Sequence, residues 1–452
     1  MAPVFAKRFV TAAAVLLFSL ILPLVITPAR AQSLIRDAEI EYALRKLAQP
    51  VFAAAGLNAD RIRILVINDS SLNAFVADNQ HMFIHSGLIL KLKTPEQLQA
   101  VISHEAAHIA NGHISRRLAN IRSAKTAAGL GILLSLAAAA ASGETKAGVG
   151  AAAGAASTAK RVFLSHTRSE EIAADQSGAR FMARAGVDPQ AMVEVLKLFI
   201  GQEALSAARR NPYTLTHPLT RERLRAVKGY AAAYAPRGKP DPNTAYWYAR
   251  ARGKLGAFIR NPKWGLREAR KTKYSDVALM LRAVAYHRVP NTKKALRNVN
   301  SLIKARPKDA YAYELKGQIL LESRQTDAAA AAYAKAVSLA PGEALILAGY
   351  GRALLAQGSG NSIRKALQVL EKARARDPQD ARMMRDLSIA YAKTGNNGMA
   401  SLSTAERYAI MGRLNDAAIH AKRAAGLLPR GSAGWNRAQD VLTAAKAAQK
   451  RR

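Results

Sequence analysis

Apolar and polar positions alternate along this chain in patterns that change from segment to segment. A continuous apolar run from Phe9 to Ile26, broken at Pro23, follows Lys7 and Arg8 and precedes Ala29-Arg30-Ala31, so residues 1–31 read as a cleavable secretory signal and the mature chain starts at Gln32. From Ser33 to Gly56 the spacing of Ile40, Ala43, Leu44 and Leu47 predicts a helix, with an interruption at Pro50. Arg61 to Ile67 is β-branched and partly alternating, which predicts a strand, and Asn68-Asp69-Ser70 a turn. Leu72–Ala77 and His81–His85 flank Asp78-Asn79-Gln80 as the arms of a hairpin leading through Ser86-Gly87 into a helix. That helix carries its own start signal: Thr94 at the N-cap, Pro95 at the first position and Gln97 two residues on form a capping box, and Leu98, Ile102 and Ile109 keep the helical period. Asn111-Gly112-His113 reads as its continuation, with His113 off the line joining His104 and His108 and structural in character. A small sheet beside this helix follows. If Asn73–Ala77 is its edge strand, free N–H and C=O groups there can hold an extended peptide by strand addition.

Farther on, Thr126–Gly143 is uncharged for 18 residues and, with Ala147–Ala159, surrounds the polar break Glu144-Thr145-Lys146. The length touches the lower bound of a membrane span. Alanine dominates it, so insertion is weak, and a mobile helical hairpin beside the cleft is the expectation. Residues 229–244, which contain Ala235-Pro236-Arg237-Gly238-Lys239-Pro240-Asp241-Pro242, break every regular pattern and read as a linker. Beyond them the period becomes that of a helical repeat: Pro307 to Pro341 is a spacing of 34, with Leu315, Gly317, Tyr333, Ala336 and Pro341 at packing positions. Ser275–Arg306 is the preceding helix pair, Pro341–Pro378 repeats the pattern with an insertion at Gly358–Asn361, an extra helix falls near Ser401–Met411 ahead of Asn415–Leu427, and Ser432–Ala448 caps the array.

Composition narrows the chemistry. Half of the 452 residues are hydrophobic, enough for two or three domains. There is no cysteine, which excludes disulfides, thiol catalysis and thiolate-bound metal, so any metal must use His, Asp or Glu. The formal charge is +37, or +34 once Lys7, Arg8 and Arg30 leave with the signal. After export nucleic acid is not the expected partner; anionic lipid head groups at a membrane surface, acidic proteins and plain solvation of helix faces are.

The candidate chemistry sits at His104-Glu105-Ala106-Ala107-His108. Two histidines four apart on a helix share one face at roughly 5–6 Å between Cβ atoms, close enough for both imidazoles to reach one zinc ion, with the glutamate between them as general base. A catalytic site needs a third protein ligand. In Thr167-Arg168-Ser169-Glu170-Glu171-Ile172-Ala173-Ala174-Asp175, a glutamate and Asp175 fall on one helical face, but spacing alone leaves Glu170 and Glu171 hard to separate.

Together these motifs resemble the gluzincin metalloendopeptidases of the CAAX-prenyl-protease and HtpX type, whose H-E-x-x-H is followed by a helix bearing S-R-x-x-E-x-x-A-D. The resemblance covers Ser33 to Val227. It implies one zinc ion per chain on His104, His108 and Glu171, Glu105 as general base, Asp175 orienting a ligand, and the edge segment Asn73-Ala74-Phe75 as substrate-binding; Gly87 also fits the pattern. Thr216-His217-Pro218 with Arg223 matches a further family motif, making His217 a fourth ligand or transition-state stabiliser and Arg223 a substrate or oxyanion contact. Thr167 stands where serine is usual and Ala107 where glycine is frequent, and neither removes a group the chemistry needs. The second half resembles tetratricopeptide proteins. A signal peptide, a gluzincin and such repeats in one chain look like the periplasmic protease-chaperones of the BepA type.

The expected architecture is therefore mainly α with a small β-sheet (α+β): a gluzincin metalloprotease domain at 32–228, a linker at 229–244 and a tetratricopeptide solenoid at 245–452. The function implied is a periplasmic zinc endopeptidase acting on unfolded or misassembled envelope proteins, brought to them or to the outer-membrane barrel-assembly machinery by its repeats. The rival is a chaperone or scaffold in which proteolysis is secondary.

Overall fold

The computed structural model describes residues 34–117, 167–202, 205, 210–237 and 240–449. The expected signal segment and the Ala/Gly-rich pair at 126–159 lie outside them. Leu34–Ile35 (β1), Arg63–Ile67 (β2), Ala74–Val76 (β3) and His81–His85 (β4) form a sheet of order β1-β2-β4-β3. The hairpin β3–β4 is antiparallel, with Phe75 opposite Phe83. β2 and β4 run parallel, and β1 returns antiparallel on the far side of β2. β3 thus ends the sheet on one side. His85 N–H donates to Asn73 O and Ala77 N–H to His81 O, so by strand alternation Ala74 and Val76 turn their backbone groups outward.

The first helix, α1 (Ala38–Ala54), starts later than its period predicted, because Asp37 caps it by accepting from Ile40 N–H and Leu34–Ile35 are drawn off to pair with β2. It also runs through Pro50. Proline removes one hydrogen bond, but Leu44, Leu47, Val51 and Phe52 are fully buried on either side of it, each stabilising by roughly 1.5–3 kcal/mol. α2 (Ser86–Lys91) follows β4 directly. α3 (Pro95–Ala110) is capped by Thr94, while the Gln97 side chain bonds back to Lys93 N–H, one residue before the cap. It does not continue through Asn111-Gly112-His113. Asn111 is its C-cap and Gly112, at φ +70°, takes the left-handed conformation that glycine tolerates; the chain then turns back into helical backbone at 113–117.

α4 (Arg168–Arg184), α5 (Gln190–Lys197), α6 (Pro212–Thr216) and α7 (Arg221–Ala233) are the further helices of the peptidase half among the described residues. α3 lies at its centre, packed by α1, α4, α5 and β3. α7 extends into the expected linker because Val227, Tyr230 and Ala231 still pack on the core at helical spacing. Beyond α7, Arg237 N–H donates to Ala183 O.

Twelve helices follow: α8 (Thr244–Ile259), α9 (Pro262–Lys271), α10 (Ser275–Arg288), α11 (Thr292–Ala305), α12 (Ala310–Glu322), α13 (Thr326–Leu339), α14 (Ala344–Gln357), α15 (Gly360–Arg376), α16 (Ala381–Lys393), α17 (Asn397–Ile410), α18 (Leu414–Leu427) and α19 (Ala433–Gln449). Tyr333 shows how the repeat stacks: a Cβ on Gly317 or on Gly349 would lie within 2.6 Å of its ring, so the ring is wedged between two bare backbones. No helix of the described residues is long and apolar enough to cross a membrane.

The two halves do not divide cleanly at the linker. Tyr248, Ala251 and Leu255 of α8 belong to the peptidase core, whereas Ala257 joins the core of the first repeats. Charges reinforce the seam. Arg250 pairs with Glu39 and Asp309, Lys254 with Asp37 (2.9 Å) and Glu39 (3.2 Å), Arg45 with Glu343 (3.1 Å), and Asp377 takes both Arg36 (2.6 Å) and Arg63 (2.8 Å).

Candidate metal centre

α3 and α4 approach closely where Ser103 Oγ donates to Gly178 O at 2.7 Å; a Cβ on Gly178 would already touch the Ser103 backbone at 3.4 Å. That approach turns the Glu171 and Asp175 face of α4 toward His104 and His108. The first turn of α4 sorts its two glutamates. Thr167 and Glu170 form a reciprocal capping box, with Thr167 N–H donating to the Glu170 carboxylate at 3.0 Å, so Glu170 is spent on the helix end. Glu171, one residue on, points inward and is fully buried.

His217 arrives from α6, whose start is capped by Asn211 and whose last turn holds His217 N–H on Tyr213 O at 2.7 Å. Its ring stacks on Tyr213 (centroids 4.6 Å), which in turn stacks on Phe199 (4.6 Å). His104 is 2 % exposed, and Glu105, His108, Glu171 and His217 are 0 % exposed.

Four donors converge. His104 Nε2 lies 3.1 Å from His108 Nε2, 3.3 Å from His217 Nδ1 and 3.4 Å from Glu171 Oε2; Glu171 Oε1 lies 3.3 Å from His108 Nε2 and 3.0 Å from His217 Nδ1. Ligands at roughly 2.0–2.1 Å from a tetrahedral zinc ion are about 3.3–3.4 Å from one another. Three imidazole nitrogens and a carboxylate facing each other at that spacing, buried and without cysteine, fit such an ion. Both oxygens of Glu105 are buried without a hydrogen-bond donor among the described residues, beside the cage, with His217 Nε2 3.4 Å from Oε1.

Each donor is held from behind. His104 Nδ1 is 2.9 Å from Asp175 Oδ1, and His108 Nδ1 is 2.9 Å from His113 Nδ1. The Arg223 fork takes Asp175 through Nε (2.5 Å) and Nη2 (2.9 Å) and Glu171 through Nη1 (2.6 Å). Burial pushes the Glu171 carboxyl up, but Arg223, His217 and His104 outweigh it and hold the group well below the carboxylate range. Asp175 is likewise lowered against its burial, mainly by Arg223. Burial raises Glu105, with His217 and His104 only partly offsetting it.

The residues expected at the site lie at different distances from its centre. His104, His108, Glu171 and His217 meet at one point, with Glu105 and Asp175 against them. Arg223, expected to touch substrate or an oxyanion, is buried and turned onto Glu171, Asp175 and the carbonyls of His217 and Pro218, so the structure gives it a different set of contacts. Asn73 and Phe75 bond toward β4, whereas Ala74 faces outward and its carbonyl accepts from His217 Nε2 at 3.2 Å. Tyr213 went unnoticed, because an aromatic at a short helix looks like any core residue.

Residues 35–231 match peptidase family M48, and residues 287–414 match the TPR domain of cytochrome c-type biogenesis protein H. The chain is 25 % identical over 392 residues to the beta-barrel assembly-enhancing protease of Escherichia coli strain K12, covering 85 % of this chain and 78 % of that one. It is 24 % identical over 398 residues to the beta-barrel assembly-enhancing protease of Yersinia pestis, covering 85 % and 79 %. It is also 24 % identical over 183 residues to the mitochondrial metalloendopeptidase OMA1 of Schizosaccharomyces pombe, covering 40 % and 50 %. Together with the converging histidines and carboxylates, these matches show a metalloendopeptidase with a peptidase M48 domain followed by a tetratricopeptide-repeat domain.

Proposed function

We propose that this chain is an exported, periplasmic zinc endopeptidase that cuts unfolded or misassembled envelope and outer-membrane proteins, with its repeats binding those proteins or the machinery that assembles them. The observation that carries the reading is the convergence of His104, His108, Glu171 and His217 beside the undonated carboxylate of Glu105. The names of the Escherichia coli and Yersinia relatives support a role in β-barrel assembly.

In this reading His104, His108 and Glu171 would hold the zinc ion, with His217 Nδ1 as the fourth donor facing it. When bound, the ion supplies Lewis acidity toward the attacking water and the scissile carbonyl. Glu105 takes the proton of that water and returns it to the leaving amine nitrogen, a task suited to a buried carboxylate whose pKa burial raises. Asp175 fixes the His104 ring through Nδ1, and Arg223 keeps Glu171 and Asp175 ionised and in place. The substrate lies as an added strand along β3, where Ala74 and Val76 offer outward backbone groups. His217 bridges Ala74 O and Glu105, so the peptide displaces it, and the freed imidazole stabilises the oxyanion.

Replacing Glu105 by Gln in the mature protein tests this. One zinc ion per chain is retained and cleavage of an unfolded envelope protein falls about 10²–10⁴-fold; a variant that cleaves as fast as the wild type ends the mechanism. A second reading, a chaperone in which the repeats do the work, is favoured by the complete burial of the site. Full restoration of envelope integrity in a null strain by Glu105→Gln would select it.

A further inference from the structure

One buried imidazole has no part in that mechanism. His113 is 2 % exposed and its Nδ1 stands 2.9 Å from Nδ1 of His108, the nitrogen opposite the one that faces the cage. It reaches that place through a local device. On a continued helix, a residue five positions beyond His108 would point about 140° away from it. Gly112 at φ +70° ends α3, and the returning backbone lays the His113 ring against His108 at 5.0 Å between centroids.

Two ring nitrogens at 2.9 Å share one proton. If His113 donated it, His108 Nδ1 would be the acceptor, a neutral His108 would carry its own proton on Nε2, and that nitrogen would have no lone pair for an ion. If His108 donates from Nδ1, Nε2 is free to bind, and His113 must present the Nδ1 lone pair. Resting on the zinc reading above, we propose that His113 is a positioning residue: by accepting the Nδ1–H of His108 it fixes the tautomer and ring orientation in which His108 Nε2 faces the metal. It thereby does for His108 what Asp175 does for His104, with a neutral group where the other ligand has a carboxylate.

The test uses the mature full chain, stripped of metal and reloaded with zinc in competition with a chelator, and separately with cobalt. His113→Ala weakens zinc about 10–100-fold and alters the visible absorption of the cobalt form. His113→Asn sets an amide oxygen near the place of Nδ1 and keeps zinc within about threefold of wild type with a wild-type cobalt spectrum. Thermal melts of the metal-free proteins show whether each variant is folded. Equal zinc affinity in wild type and His113→Ala, or an Asn variant no better than Ala, overturns the assignment while leaving the zinc reading intact; a wild type that takes up no zinc overturns both.

Discussion

Arg223 concentrates the electrostatics of the centre in one side chain. It neutralises two carboxylates that are themselves fully buried, so Arg223→Ala leaves Glu171 and Asp175 as uncompensated buried charges. The expected loss is about 3–5 kcal/mol of folding stability in the metal-free protein, measured by urea unfolding, with part of it recovered on adding zinc because the ion replaces the missing positive charge. Its contacts with Glu171 and Asp175 were not legible, since the sequence motif marks it only as a substrate or oxyanion contact and spacing does not bring it to either carboxylate. Glu171 is the opposite case. Spacing left it tied with Glu170, yet Thr167-x-x-Glu170 is itself a capping-box signature, and assigning Glu170 to the cap frees Glu171 without reference to any relative.

At the level of elements, the pattern of apolar positions found the hairpin, α3 and the repeat helices from α10 onward, because each buries one face and the period records it, but not α8 and α9. It erred where a single backbone conformation decides the outcome. α3 stops at Gly112 although the apolar period continues to Ile114, and β1 exists because two residues ahead of α1 find an open strand edge. Gly87, at the start of α2, is another such point: a Cβ there would come within 2.1 Å of Ser70 O and 2.6 Å of Ser71 O. These are backbone atoms that cannot swing aside, so Gly87→Ala forces the loop after β2 away from α2. A loss of about 2–4 kcal/mol is expected, and its measure is the shift of the urea midpoint. Methyl groups at Gly56 or Gly342 meet no atom within 4 Å, and Gly342→Ala serves as the quiet control.

Across the whole molecule, the feature least visible in the sequence is the set of buried charges between α1 and the repeats. Arg250 and Lys254 sit on a helix rich in basic residues and look solvated, yet both are buried against Asp37, Glu39, Asp309 and Glu314. Asp377 makes the matching contact from α15's end, its carboxyl held far below the usual range because Arg63 and Arg36 outweigh its burial. A depressed carboxyl stabilises the fold above its unfolded value of roughly 3.9 and loses that contribution as pH falls through the folded value. Asp377→Asn is therefore expected to lose about 2–4 kcal/mol at pH 6, and the gap to wild type should narrow at pH 3 when urea midpoints are compared. A gap that stays constant with pH would mean that Asp377 acts through packing alone. The seam also bears on how such chains can be recombined. A chimera joined at residues 234–243 would keep the covalent order of a peptidase and a repeat array, yet separate Glu39 from Arg250 and Arg63 from Asp377. The transferable unit is set by charge partners, and it carries residues 34–63 along with the repeats that hold them.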